Sequence, residues 1–241
     1  MLLELLESHK WYDNEFSYME NHISASSFAN ETLELWLDKY GYEREEKLGD
    51  NTVGSLVHIA MEKIISDLCD PQLVCEKRFS KNFEGHIISG SMDLVDYSTR
   101  TIYDYKTAKN YSRKMLTKEG KHHRYAIQLA VYNWLLTDKN ESPFTCKIFW
   151  IMKDSKAAER EPTFVEEEIE IMSREEIEAY MLDKIITLAH YNKDVVPDKC
   201  KDLWPRKVKN AVIDTKCEFY CGFKKSCPRY KTTALKQIAT W

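Results

Sequence analysis

A short stretch that pairs two acidic residues with a lysine constrains this chain more than any other feature. Residues 90–109 are predicted to form two β-strands joined by a polar turn at residues 98–100. Because side chains alternate along a strand, Asp104 and Lys106 point to the same face, and an antiparallel neighbour can bring Asp93 alongside them. Two carboxylates and an ammonium group can hold a divalent cation, activate water and stabilise the charge that develops on a phosphate. The pattern predicts a phosphodiester-cleaving site, although a single Asp-x-Lys is more typical of a solvated strand.

The helix predicted upstream contributes a histidine. Apolar residues recur at helical spacing in this segment, and His58 lies at the edge of the stripe that they form. A histidine in this position is more often a core residue than a ligand. Beside a pair of carboxylates, however, a neutral imidazole can bind the same cation. Both interpretations stay open. The stripe consists of Val57, Met61, Ile64, Ile65 and Leu68.

Two other segments bear on the same site. Glu76 lies in the extended segment that leads to the Asp93 strand, and we interpret it as a surface charge rather than as a member of the site. Gln128 and Tyr132 are four residues apart, so they share one face of a predicted helix. This pair can hydrogen-bond a phosphate, although a tyrosine in an apolar helix is usually a core residue.

Taken in order, these motifs resemble those of the PD-(D/E)xK nuclease superfamily. The similarity is to its RecB-type branch, which includes phage recombination exonucleases and CRISPR adaptation nucleases. It covers roughly residues 20–230 and includes the early segment 23–28. Any one motif is weak evidence for the resemblance, but four motifs in the expected order are strong evidence. They are Gly54-x-x-x-His58, Gly90-x-x-Asp93, Asp104-x-Lys106 and Gln128-x-x-x-Tyr132.

The resemblance implies an α/β fold, with a mixed central β-sheet flanked by helices (a restriction-endonuclease-like core) and a small cysteine-rich C-terminal subdomain. We expect residues 1–195 to form the nuclease core with an N-terminal helical segment, and residues 196–241 a basic, cysteine-rich segment. Within the core, residues 144–152 read as a central strand and residues 164–171 as an edge strand. Residues 173–191 read as a helix with Ser173 as its N-cap.

The resemblance also implies roles for individual residues. His58, Asp93 and Asp104 would bind Mg²⁺ or Mn²⁺, with the backbone carbonyl of Tyr105 as a further ligand. Lys106 would position the attacking water and stabilise the pentacovalent phosphate, so Asp93, Asp104 and Lys106 form the catalytic set. Because the sequence substitutes no motif position, we expect an active enzyme.

Contacts with DNA are expected from two groups of side chains. The resemblance assigns Gln128 and Tyr132 to the nucleic-acid backbone near the scissile bond. A basic run at residues 111–124 lies between the Lys106 strand and the Gln128 helix, and we expect its Arg113, Lys114 and Arg124 to contact DNA. The whole chain has a net charge of −4, but residues 196–241 carry 11 Lys and Arg against 4 Asp and Glu. A basic C-terminal segment can follow phosphates while the acidic remainder keeps the protein in solution.

Seven cysteines supply a second signal. An odd number, without a secretory signal or an apolar run that could span a membrane, predicts a reducing cytoplasm of a bacterial, archaeal or phage-infected cell. The last four cysteines lie close enough in sequence to share a metal. The cysteines are Cys69, Cys75, Cys146, Cys200, Cys217, Cys221 and Cys227.

Iron–sulfur members of the RecB-type branch have a similar C-terminus, but this chain departs from them. Three residues separate Cys217 from Cys221 where two are usual, and the early cysteine is missing. Cys200 can replace it, which gives a set of four that holds Zn²⁺ or a [4Fe–4S] cluster. Cysteines that merely pack in the core are the alternative. The set is Cys200, Cys217, Cys221 and Cys227.

The function predicted from the whole pattern is metal-dependent cleavage of DNA, with an exonuclease favoured, in recombination, repair or phage DNA processing. One alternative is a nucleic-acid-binding scaffold subunit whose catalytic activity is dispensable. Another is an endonuclease associated with CRISPR or transposition. The expected partners are single- or double-stranded DNA and a helicase, annealing protein or integrase, with no membrane association.

Overall fold

The computed structural model describes residues 21–45, 48–118, 123–155, 162–201, 204–208 and 211–230. The chain divides into two compact units. One consists of Met1–Ala29 with Leu48–Met181, and the other of Asn30–Lys47 with Leu182–Trp241. Each unit is therefore built from two separate stretches of sequence.

The first unit contains a six-stranded mixed β-sheet. Strand β3 pairs antiparallel with β2 and β4 and parallel with β1. Strand β5 pairs parallel with β4 and antiparallel with the edge strand β6. The central strand and the edge strand predicted from the sequence are thus both confirmed. The strands are β1 (His22–Ser24), β2 (Leu73–Phe83), β3 (His86–Asp96), β4 (Thr101–Ala108), β5 (Thr145–Met152) and β6 (Phe164–Glu168).

Five α-helices accompany the strands in the described part of the chain. They are α1 (Thr32–Lys39), α2 (Leu48–Ser66), α3 (Asn110–Lys118), α4 (His123–Leu136) and α5 (Arg174–Ala189). Helix α4 is buried along most of its length and packs against β2, β3 and β4, because its sequence is apolar on nearly every side. The apolar stripe on α2 is less buried, and Ile64 and Leu68 are exposed. No helix among the described residues combines the length and the apolar character that crossing a bilayer requires.

Helix α5 begins where the sequence predicts. The hydroxyl of Ser173 accepts a hydrogen bond from the backbone N–H of Glu176 at 3.2 Å. The Glu176 carboxylate accepts one in return from the backbone N–H of Ser173 at 2.8 Å. This reciprocal pair is a capping box, which satisfies two donors that the first turn of a helix leaves unpaired.

Two turns fix the register of the three strands that matter for the site. Glu84 and Gly85 join β2 to β3 with φ values of 50° and 77°, as a two-residue hairpin turn of the type I′ class requires. Between β3 and β4, the side chain of Asp96 accepts hydrogen bonds from Ser98 and Thr99, and Arg100 takes a φ of 51°. The polar turn predicted at residues 98–100 is confirmed.

The second unit has its own small apolar core around helix α1. Trp36 is fully buried there, and its indole N–H donates to the carbonyl of Asn192 at 2.9 Å. The unit also contains a two-stranded hairpin, β7 (Pro205–Val208) and β8 (Ala211–Asp214), and a π-helical turn, Lys216–Tyr220. It includes residues 30–47, which the sequence analysis assigns to the nuclease core, so the division at residue 195 stays a prediction. The core residues are Leu33, Trp36, Leu37 and Phe223.

Three lysines of this unit lie close to acidic side chains. The Lys216 ammonium is buried 3.7 Å from the Glu34 carboxylate. Lys224 pairs with Glu218 at 2.6 Å, and Lys225 pairs with Glu45. The excess positive charge of residues 196–241 is therefore partly compensated inside the unit.

Candidate metal centre and nuclease site

Three acidic residues are cross-strand neighbours on three adjacent strands of the sheet. The pairs Cys75–Leu94 and Lys77–Met92 flank Glu76 and Asp93, which places these two opposite each other on β2 and β3. The β3–β4 register, which pairs Leu94 with Tyr103, likewise places Asp104 beside Asp93. Asp93 is therefore the central member of a row that runs across β2, β3 and β4.

The row lies next to the part of β3 that separates its pairing with β1 from its pairing with β4. Strand β2 pairs with β3 on both sides of Glu76 and Asp93, so β1 and β4 share the other edge. Strand β1 pairs with residues 87–89 of β3 and β4 with residues 94–96, so residues 90–93 pair on that edge with no strand of the described part of the chain. The Asp93 carboxylate fills part of this gap, since its Oδ2 accepts a hydrogen bond from the Tyr105 N–H at 2.5 Å.

Helix α2 brings His58 to the same row. Its Nδ1 lies 3.0 Å from Oε1 of Glu76 and 3.4 Å from Oδ1 of Asp93. The ligand atoms of all three side chains lie within 4.8 Å of one another. His58 and Glu76 remain about 30% exposed, so the group is open to solvent on one side. One imidazole and two carboxylates suit a hard divalent cation such as Mg²⁺ or Mn²⁺.

This arrangement corrects one interpretation and resolves another. The sequence analysis treats Glu76 as a surface charge, which is wrong because its carboxylate contacts His58 inside the candidate centre. His58 lies with the carboxylates rather than in the apolar core.

Asp104 and Lys106 face each other as strand alternation predicts. The Lys106 Nζ lies 2.6 Å from Oδ2 of Asp104, while Oδ1 of Asp104 accepts a hydrogen bond from Gln128 Nε2 at 3.1 Å. Burial lowers the pKa of Lys106, but the negative charges of Asp104 and Asp93 more than compensate, so the pKa is raised overall. Without a bound cation, Lys106 is therefore an ammonium group at neutral pH, which can donate hydrogen bonds.

Burial and neighbouring charges shift the pKa values of Asp93 and His58. Burial and then the neighbouring charge of Asp104 raise the pKa of Asp93 to about 7. For His58, burial lowers the pKa, but the hydrogen bond to Glu76 and the charge of Asp93 outweigh it and raise the pKa overall. Without a cation, the centre thus retains protons that neutralise part of its negative charge.

Gln128 and Tyr132 are brought into the site from helix α4. Gln128 Nε2 donates to the Tyr132 hydroxyl at 2.7 Å as well as to Asp104. The Tyr132 side chain is buried, and its ring lies against Gly90 in the gap on β3. The two side chains therefore connect the Gly90 strand to Asp104.

Two aromatic rings contact the site in ways that the sequence did not predict. The Lys106 ammonium lies over the ring of Tyr125, 5.5 Å from its centroid, which is the geometry of a cation–π contact. Tyr125 precedes Gln128 by three residues, so helical spacing places both near the site. The ring of Tyr105 contacts His58 edge-on with a centroid distance of 5.8 Å. Helical spacing from Gln128 is the signal that could have found Tyr125.

The three basic residues assigned to DNA lie on α3 and α4. Lys114 is exposed, whereas Arg124 and Arg113 are partly buried. The Arg113 guanidinium pairs with the Glu167 carboxylate at 3.3 Å, and the same carboxylate accepts a hydrogen bond from the Trp150 indole at 2.8 Å. Arg113 thus has a structural contact within the sheet layer.

The four late cysteines line one small cavity in the second unit. Its volume is about 20 Å³, and Leu33, Leu37 and Glu34 of helix α1 form part of its wall. Burial raises the pKa of the Cys200 thiol to about 12 and also raises the pKa values of Cys217 and Cys221. These thiols are therefore protonated unless a cation binds them. The cysteines are Cys200, Cys217, Cys221 and Cys227.

Comparison with known proteins identifies the family. Residues 74–228, more than half of the chain, match the sequence profile of the PD-(D/E)XK nuclease superfamily. The chain therefore belongs to this superfamily, whose members are nucleases that hydrolyse phosphodiester bonds. The matched region contains Glu76, Asp93, Asp104, Lys106 and Gln128. No curated protein matches the sequence significantly.

Two solved structures resemble the protein. The crystal structure of SSO0001 is similar with a TM-score of 0.56 and 17% identity, over 95% of this chain and 94% of that chain. A phage-related exonuclease from Haemophilus somnus 129PT has a TM-score of 0.46 and 18% identity, over 69% of this chain and 80% of that chain. At these identities the likeness to SSO0001 concerns the fold, which is the mixed α/β fold of restriction-endonuclease-like proteins.

Proposed function

We propose that the protein is a divalent-metal-dependent DNA nuclease that degrades DNA from an end. One observation carries this proposal. The Asp104–Lys106 ion pair, which belongs to the sequence signature of the superfamily, adjoins the open group of His58, Glu76 and Asp93. A cation site can activate water and polarise the phosphate, and a fixed ammonium group can stabilise the charge that develops during phosphodiester hydrolysis.

The donors present fit Mg²⁺ or Mn²⁺. His58, Asp93, Asp104 and the Tyr105 carbonyl are the proposed ligands. Nitrogen and oxygen donors with a solvent-open side suit hard cations that keep several waters. A bound divalent cation would supply Lewis-acid stabilisation of the phosphate and acidify a nearby water.

The residues around the cation divide the remaining tasks. The positively charged ammonium group of Lys106 would donate hydrogen bonds to the attacking water and to the phosphate oxygens on which negative charge develops. Gln128 holds Oδ1 of Asp104 at 3.1 Å and so orients this carboxylate. Tyr125 covers one side of the Lys106 ammonium and limits its positions.

Contacts with DNA are proposed for five side chains near this site. Gln128 and Tyr132 would act close to the scissile phosphate, where Gln128 already reaches Asp104. Lys114 and Arg124 would attract more distant phosphates, with Arg113 aiding them through its positive charge. The basic run that contains these cations follows β4 directly, so a strand that enters the site passes near it.

The biological setting that fits the motifs is recombination, repair or phage DNA processing in the cytoplasm. The choice of an exonuclease rests on the resemblance to RecB-type enzymes and phage exonucleases. A helicase, an annealing protein or an integrase is the partner that this setting implies. The same motifs also suit an endonuclease associated with CRISPR or transposition, and a scaffold subunit would keep the fold without using the site.

The four late cysteines form a proposed second centre for a [4Fe–4S] cluster or Zn²⁺. Zinc–sulfur bonds of about 2.3 Å place the sulfurs of a tetrahedral site about 3.8 Å apart. Among the described residues, only His58, Glu76 and Asp93 bring three ligand atoms within 4.8 Å of one another. The thiols are thus not gathered at zinc-site spacing, and the proposal of a shared ion or cluster rests on the one cavity that all four line.

The test of the proposed function uses purified full-length protein and three DNA substrates. End-labelled single-stranded and double-stranded linear DNA and closed circular DNA are incubated with Mg²⁺, Mn²⁺ or EDTA. We expect progressive loss of nucleotides from linear DNA with a metal ion, none with EDTA, and intact circles. Cleavage of circles would show that the activity is that of an endonuclease rather than an exonuclease. Binding without cleavage would support the role of a scaffold subunit.

Two variants connect the activity to the site. Asp104→Asn and Lys106→Ala should each abolish cleavage while the circular dichroism spectrum stays unchanged. The matched controls are Asp67→Asn and Lys63→Ala, which alter an exposed ion pair on the surface near the end of α2. Activity of Asp104→Asn or Lys106→Ala within a few-fold of the wild type would exclude this site as the nuclease centre.

A further inference from the structure

Glu76 adopts a backbone conformation that its side chain does not favour. Its φ is 46°, in the left-handed region, although it is not glycine and lies inside strand β2. A non-glycine residue in this region costs about 1–2 kcal/mol. Such strain persists where the surrounding structure enforces it and is concentrated at active sites and ligand-binding positions.

The strained backbone delivers the Glu76 carboxylate to His58 and Asp93. From His58 Nδ1, the distances to Glu76 Oε1 and Asp93 Oδ1 are 3.0 and 3.4 Å. In an octahedral Mg²⁺ or Mn²⁺ site with bonds of about 2.1 Å, adjacent ligand atoms are about 3.0 Å apart. These atoms are therefore already spaced as neighbouring corners of one coordination shell.

Asp104 is held differently. Both of its oxygens are engaged on the other side of Asp93, Oδ1 by Gln128 and Oδ2 by Lys106. It is also absent from the group of three whose ligand atoms lie within 4.8 Å. The Glu76 carboxylate thus lies closer to the ligand atoms of His58 and Asp93 than the Asp104 carboxylate does, and Asp104 is shared with Lys106 and Gln128.

We propose that Glu76 is a direct ligand of the divalent cation, together with His58 and Asp93. This inference rests on the proposed function only in requiring a divalent cation at the site. It adds a ligand to the set of His58, Asp93 and Asp104.

A weaker role for Glu76 would be to hold His58 by the hydrogen bond alone. Substitution of Glu76 by glutamine distinguishes the two roles. The Gln side chain retains an oxygen that can accept the hydrogen bond from His58, but it loses the negative charge that binds a cation. Glu76→Gln therefore removes a ligand while it preserves a positioning contact.

The experiment measures binding of Mn²⁺ to the full-length, metal-free protein by electron paramagnetic resonance of the free ion. We expect Glu76→Gln to weaken Mn²⁺ binding by about a hundredfold or more, which exceeds the roughly ten- to hundredfold effect of partners outside the coordination shell. The matched control is Glu84→Gln. Glu84 is exposed, also has a positive φ, and lies in the same hairpin away from the centre, so this variant should bind like the wild type.

Several outcomes decide the proposal. A loss smaller than about a hundredfold for Glu76→Gln, in protein whose circular dichroism spectrum matches the wild type, overturns it in favour of the positioning role. If the Gln variant does not fold, Glu76→Asp is measured instead, and unchanged Mn²⁺ affinity with the shortened carboxylate overturns it equally. A protein that cleaves no DNA but loses Mn²⁺ affinity with Glu76→Gln would refute the nuclease while the ligand assignment stands.

Discussion

The ring of Tyr132 lies against Gly90 so closely that only a hydrogen atom fits between them. A Cβ atom at residue 90 would be 2.5 Å from Cε1 of this ring. The hydroxyl of the same tyrosine accepts the hydrogen bond of Gln128, which in turn holds Asp104. A glycine in one strand and a tyrosine in a helix are thus parts of one support for the centre.

The first prediction concerns Gly90→Ala. The added methyl group displaces the Tyr132 ring and with it Gln128, so we expect a loss of about 1–3 kcal/mol in the free energy of unfolding, typical of overpacking. DNA cleavage should fall as well. Thermal melting and a cleavage assay measure the two effects.

Gly54→Ala is the control for this change. An added Cβ there meets no atom within 4 Å, and residue 54 lies in helix α2. Alanine should therefore maintain or raise the melting temperature, because it favours the helix by about 1 kcal/mol over glycine. Equal melting temperatures for Gly90→Ala and the wild type would contradict the close contact.

The second prediction concerns pH and Asp93. Burial and the charge of Asp104 raise its pKa to about 7, so the folded protein holds this proton more tightly than the unfolded chain does. The metal-free protein should therefore lose stability as the pH rises from about 4 to about 7. Asp93→Asn removes this dependence, so the melting temperature in EDTA should fall less between pH 5 and pH 8 for the variant.

The difference in that fall should be about 3 °C or more, equivalent to about 1 kcal/mol for a chain of this size. Asp96→Asn is the contrast, because hydrogen bonds from Ser98 and Thr99 outweigh burial and lower the pKa of Asp96. That carboxylate is ionised at both pH values, so its loss should shift both melting temperatures equally. Parallel pH curves for the wild type and Asp93→Asn would refute the assignment.

The third prediction concerns the hydroxyl of Tyr132. Tyr132→Phe keeps the ring against Gly90 but removes an acceptor for Gln128. Loss of a buried hydrogen bond costs about 1–1.5 kcal/mol, which corresponds to about five- to tenfold in rate if Asp104 loses its orientation. We expect kcat to fall while the affinity for Mn²⁺ stays within twofold to threefold, as estimated from the same energy scale. Tyr111→Phe, at an exposed position, should leave both unchanged.

The fourth prediction concerns the cysteine cavity. Cys221→Ser should make the C-terminal segment sensitive to protease and weaken DNA binding, because a bound ion or cluster supplies stability to small metal-dependent folds. A brown protein with visible absorbance would indicate an iron–sulfur cluster, and elemental analysis would reveal zinc. Cys69→Ser, at an exposed position, is the control. A colourless protein without zinc or iron, and with a normal Cys221→Ser variant, would leave the thiols as packing residues.

The sequence predicted the β3–β4 hairpin well because its polar turn and its alternation agree. Asp93, Asp104 and Lys106 follow from that hairpin alone. Glu76 could have been found by counting outward from the turn at Glu84 and Gly85, which pairs it with Asp93. Its positive φ has no signature in the sequence, since it arises from the contacts around the centre.

The remaining differences arise from contacts between distant parts of the chain. Helix α1 joins the second unit through Trp36, whose partner Asn192 lies 156 residues away. No local sequence pattern predicts such a pairing, so the sequence suggested a single domain boundary, at residue 195. Tyr125 looked like any aromatic residue of an apolar helix, and its contact with Lys106 depends on how α4 packs on β4.

The row of Glu76, Asp93 and Asp104 also affects the order in which the protein folds. Two consecutive hairpins bring these acids together, and local pairing of this kind needs little loop closure. We therefore expect the negative charges to meet before helix α4 packs on the sheet, where its Gln128 and Tyr125 contact Asp104 and Lys106. A divalent cation that neutralises the row should speed refolding as well as stabilise the product, which makes the metal an assembly factor for the sheet.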